Sequence, residues 1–127
     1  MNNLYKNSAI FLSSILFSLS IVGCSSDKYP KEMSLEDAPE TISAAFKNEK
    51  DENIKAMADQ ATNLLKSKNY KAAHGVLKRL MALKDLDVEQ RDLIAGGLMA
   101  VAENLSKAAE QGDAQAGQYL KMQSFGK

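Results

Sequence analysis

The sequence predicts an all-α domain of four to five helices in antiparallel hairpins, and three observations carry that expectation. From Pro39 onward, apolar residues recur at spacings of three and four, the period of one helix face. Capping side chains, Asn69, Asp87 and Asp113, stand immediately ahead of such stretches. No segment beyond Cys24 alternates at the period of two that a half-buried strand requires.

Each element follows from its own residues. Pro39 suits the first position of a helix, Glu40 favours its first turn, and Ile42, Ala45 and Phe46 follow at helical spacing. Ile54, Met57, Ala58, Ala61, Leu64 and Leu65 define a second face, with Glu49, Asp51 and Glu52 ahead of it and Lys66 and Lys68 at its end. On one straight helix the Ile42/Phe46 stripe would point roughly 125° away from the Ile54/Leu65 stripe, so a break is expected near residues 48–51. Asn69 caps a third helix with Tyr70, Ala73, Leu77 and Leu80 on one face and Val76, Met81 and Leu83 beside it. Its apolar arc of about 160° exceeds what a surface helix needs, so cover on two sides is expected. Asp87 with Gln90 forms a capping box that opens a long helix to Gln111, carrying Ile94, Leu98, Val101, Leu105 and Ala108. Gly112 is a left-handed stop and Asp113 the next cap. A short helix with Ala116, Tyr119 and Leu120 follows, and then a tail with Met122 and Phe125.

Composition narrows the functional classes. The 127 residues hold 16 Lys+Arg against 16 Asp+Glu, one His and one Cys. A net charge of zero removes the broad basic surface that nucleic-acid binding draws on. One Cys makes no internal disulfide, and one Cys with one His makes no zinc site. No Gly-rich phosphate loop or other cofactor motif is present, so no cofactor is expected.

The first 24 residues carry an address. Residues 1–8 contain Lys6, residues 9–22 form an apolar run of 14, and Ile21-Val22-Gly23-Cys24 closes the segment. The run is too short for a span of about 20 residues and has the length of a secretory signal core. Its end resembles the lipobox of bacterial lipoproteins, in which aliphatic and small residues precede an obligatory Cys. The resemblance implies a signal peptide at 1–23 and acylation of Cys24, with two or three chains anchoring the mature protein stably. Ser25, rather than Asp, follows the Cys. Under the sorting rule of many Gram-negative bacteria this implies the outer membrane, facing the periplasm, more than the inner membrane. Residues 24–38 are then expected to be the lipidated Cys and a flexible tether, and residues 39–127 the helical domain. Random-coil scaling gives such a tether an end-to-end distance of roughly 20 Å.

Two stretches resemble helical repeats. Residues 52–85 are similar to a tetratricopeptide hairpin, with Ala61, Leu64, Tyr70, Ala73 and Leu77 at matching positions. They depart from it at Lys68, where the turn usually has Gly, and at Leu80 and Asp85. Residues 107–120, KAAEQGDAQAGQYL, resemble the corner of Sel-one-like repeats, although Lys121 replaces a typical Gly. These resemblances imply a protein-binding role and no catalytic residue.

Candidate chemistry is sparse. His74 has no nucleophile or orienting carboxylate at an interpretable spacing, so a half-exposed surface role is expected and the chain is not expected to be an enzyme. Residues 85–89 look like the start of a calcium loop but lack its Gly at position six, occupied by Gln90, and its carboxylate at position twelve, occupied by Gly96. Gly96-Gly97 inside a helix costs about 1 kcal/mol per residue relative to Ala. Gly97, near the Ile94/Val101 stripe, is explained by a close helix crossing. Gly96 points the other way, flanked by Leu93, Met99 and Ala100. Those four residues form the candidate partner surface, either for an envelope protein or for a second copy in a self-associating structural lipoprotein. The basic residues Lys66, Lys68, Lys71, Lys78, Arg79 and Lys84 form a competing face suited to anionic lipid or an acidic partner.

Overall fold

A computed structural model describes residues 32–126. The signal segment, Cys24 and residues 25–31 lie outside them. Five helices form in order: α1 (Ala38–Ala45), α2 (Glu52–Lys66), α3 (Tyr70–Met81), α4 (Val88–Glu110) and α5 (Ala114–Phe125). Among the described residues there is no strand, and no helix is long and apolar enough to cross a membrane.

Local chemistry sets the boundaries. Asp51 caps α2 by accepting from the N–H groups of Asn53 and Ile54, and Asn69 caps α3 by accepting from Ala72. Asp87 and Gln90 complete the reciprocal capping box of α4, and Asp113 accepts from Gln115 and Ala116 to open α5. The α2–α3 and α4–α5 turns are the same device. Asn69 N–H donates to Leu64 O while Lys68 donates to Leu65 O; Asp113 donates to Ala108 O while Gly112 donates to Ala109 O. This double bond pattern needs a left-handed residue at its centre. Gly112 supplies it at φ 98°, and Lys68 supplies it at φ 58°.

Helices α2, α3, α4 and α5 pack in succession, each on the next, while α1 packs against both α2 and α4. Helices α1 to α4 thus form a closed ring around one core. Ile42, Phe46, Leu77, Leu80, Ile94 and Val101 are fully buried in it. The double cover on α3 follows from its place between α2 and α4. Gly97 sits at the crossing: a Cβ added there would lie 3.3 Å from Ile42 Cδ1 and 3.8 Å from Leu77 Cδ1.

Two boundaries differ from the expectation. Residues 33–38, assigned from sequence to the tether, contribute to the core: Met33 and Leu35 pack against it and Ala38 is fully buried. Ser34 Oγ accepts from Asp37 N–H and Ser34 O from Ala38 N–H, forming the turn that leads into α1. The C-terminal tail is helical through Phe125, since no Gly or Pro interrupts it before Gly126.

Candidate functional site

The outer side of α4 carries a groove of about 710 Å³ walled by Met33, Gly96, Met99, Ala100 and Ala102, with Glu32, Ser34 and Glu103 at its rim. Three of the four residues singled out from sequence, Gly96, Met99 and Ala100, therefore line one depression. Met99 is 59% exposed there, Ala100 is half-buried and Gly96 is buried. Leu93 departs from the expectation of an exposed face. It is 8% exposed and borders a separate, smaller groove of about 290 Å³ with Met33, Asp37 and Thr41. Residues from the Ser34–Asp37 turn and α1 gather beside Leu93, and α1 packs on α4.

The electrostatics of the groove are mild. Glu103 is ion-paired with Lys107 at 2.6 Å along α4, both exposed. The hydrogen bond from Lys107 holds the Glu103 carboxyl below its ordinary value, and the same contact raises Lys107. Such an exposed pair contributes little to stability.

His74 is half-buried, and its Nδ1 lies 2.8 Å from the Tyr119 hydroxyl with the rings edge to face. Desolvation, with a smaller contribution from Lys78, lowers the His74 pKa from its ordinary value, and desolvation raises that of Tyr119. The pair belongs to a seam between α3 and α5. Lys71 Nζ donates to Gln115 Oε1 at 2.8 Å on one side of it, and Lys78 Nζ donates to Gln123 Oε1 at 2.7 Å on the other. Because 71 meets 115 and 78 meets 123, the two helices run parallel. A separation of 44 or 45 residues between partners left no local signal of this seam in the sequence.

Two further polar clusters escaped the sequence reading. Arg91 donates to Met81 O at 3.0 Å and Leu83 O at 2.9 Å, closing the C-terminal end of α3. Glu49 accepts from the N–H groups of Lys50 and Asp51 and from Gln90 Nε2. The Asp51 N–H chiefly, and the Gln90 amide next, hold its carboxyl below the usual range. A basic residue within the first turn of α4 and a Glu in a connecting loop were the available signals, and each also has a plain solvent-facing explanation. Asp87, from the calcium-like stretch, spends its carboxylate on the α4 cap. Among the described residues no three His, Cys, Asp or Glu side chains gather as a metal site.

No family model, curated protein or solved structure matches this chain.

Proposed function

We propose that this protein is a lipid-anchored envelope protein whose helical domain is a non-catalytic interaction module, holding a partner protein in the groove over α4. The anchoring half of this reading is supported by the apolar run at 9–22 and Ile21-Val22-Gly23-Cys24, and the outer-membrane placement by Ser25. The interaction half is carried by one observation: the side of α4 marked in sequence by Gly96 opens into a groove lined by Gly96, Met99 and Ala100, though not Leu93, with Met99 59% exposed. An exposed thioether over a glycine floor presents adaptable apolar surface to a partner.

Anchoring is tested by metabolic lipid labelling, which Cys24→Ala should abolish; equal labelling of both chains refutes it. Proximity labelling in intact cells identifies the partner, and Met99→Glu should reduce its capture at least about ten-fold, as expected for a charge placed in an apolar contact. Capture unchanged by Met99→Glu but lost with Lys71→Glu and Arg79→Glu together moves the site to the basic face. Light scattering on the purified chain separates the runner-up. A stable oligomer dispersed by Met99→Glu identifies a self-associating structural lipoprotein instead.

A further inference from the structure

The described residues segregate their charge by helix. Helices α3 and α5 carry Lys71, Lys78, Arg79 and Lys121 and no Asp or Glu, whereas the rest of residues 32–126 holds fifteen carboxylates against eight cations. The seam described above sets the two helices side by side, so Lys71 and Lys78 border α5 on a common face. Both are hydrogen-bonded to neutral amides, and the one ion pair among the described residues lies on α4. Asp113, the acidic residue adjoining α5, spends its carboxylate on the N–H groups of Gln115 and Ala116.

Apolar side chains accompany these cations. Gln115, Gln118, Met122 and Phe125 follow one stripe of α5 at spacings of three and four. The stripe starts at the glutamine that meets Lys71 and ends on Met122, 59% exposed, and Phe125, 85% exposed. The exposed Met122 and Phe125 of α5, beside its own Lys121 and the Lys71 and Lys78 of α3, combine the basic and apolar groups that a bilayer surface takes at headgroup and acyl level. An acidic protein would account for the lysines but not for a Phe that projects from a last turn. Only seven residues, 25–31, separate Cys24 from Glu32; fully extended they reach at most about 29 Å. An acylated Cys24 therefore keeps this domain beside a bilayer.

We propose that the α3–α5 face is a second membrane contact, seated on anionic phospholipid with Lys71, Lys78 and Lys121 at headgroup level and Met122 and Phe125 at the acyl boundary. It extends the anchored reading and does not use the α4 groove.

The test reconstitutes the full-length protein, extracted from membranes, into phosphatidylcholine vesicles with or without phosphatidylglycerol. Amine-reactive labelling is read at each lysine by mass spectrometry, with Lys47 and Lys50 as references. Anionic vesicles should slow labelling of Lys71, Lys78 and Lys121 about five-fold or more, the scale of one interfacial charge, while the references are unchanged. High salt should reverse the protection, and Phe125→Glu, at a position too exposed to disturb folding, should weaken it. Equal labelling in both vesicle types overturns the proposal. So does protection that survives high salt in the Phe125→Glu chain, or that appears in phosphatidylcholine as protein density rises, which is a contact between copies. Flotation is scored separately. A chain that floats only with phosphatidylglycerol refutes acylation and supports this face, whereas one that floats with neither vesicle refutes both.

Discussion

Lys68 shows a single residue accepting a conformation against its own preference. At φ 58° it occupies the central turn position that Gly112 occupies in the second hairpin, and a Cβ makes that region costly by about 1–2 kcal/mol. Lys68 is exposed. Lys68→Gly should therefore stabilise the domain by about 1 kcal/mol, measured as a shift in urea midpoint at unchanged slope. His74 makes a residue-scale prediction about pH. Burial, and secondarily Lys78, lower its pKa in the folded state, so the unfolded chain binds the proton more readily. Its contribution is present above the ordinary histidine value of about 6.5 and is lost as pH falls from there through the lower folded value. Unfolding free energy followed across this range should decline on the acid side, and His74→Gln should flatten that part of the decline.

At the scale of elements, the corner between α3 and α4 depends on a side chain from the following helix. The guanidinium of Arg91 takes the carbonyls of Met81 and Leu83, which the end of α3 leaves without intrahelical partners. Arg91→Met keeps much of the aliphatic stem and leaves those carbonyls unpaired, so it should cost about 1–3 kcal/mol; Arg79→Met, on the exposed side of α3, should cost well under 1 kcal/mol. Comparative thermal denaturation of the two variants checks this. Helix α5 is secured differently. Ala116 is its one fully enclosed residue, and side-chain pairs of the seam hold it to α3. Amide exchange in α5 should accordingly run faster than in α3 or α4, because few of its groups are withdrawn from water.

For the whole molecule, the contact of α1 with α4 matters most. A row of hairpins in which each unit meets only its neighbours unfolds piecewise, whereas α1 joins the first helix to the fourth and closes the ring. Phe46, 1% exposed at the end of α1, is the largest fully buried side chain among the described residues. Phe46→Ala should cost about 3–5 kcal/mol and lower exchange protection in α4 as well as α1. Protection lost in α1 alone would show that the ring does not act as one unit. The charge division belongs to this scale too, since it arises from the parallel placement of α3 and α5 and not from either helix alone.

The sequence by itself determined the all-helical class, the helix starts at Asn69, Asp87 and Asp113, a break near residues 48–51 and the close crossing at Gly97, because capping, glycine conformation and helical periodicity act over a few residues. It also singled out Gly96, Met99 and Ala100, through a local irregularity that helix propensity does not explain. Tertiary structure alone decided that Leu93 is covered, that residues 33–38 belong to the domain, and that Arg91, Glu49 and Tyr119 find partners 8 to 45 residues away. The physical reason is range. A cap or a periodic face is specified by neighbours within one or two turns, whereas the covering of a face or the pairing of a buried polar group depends on which distant segment the core brings alongside.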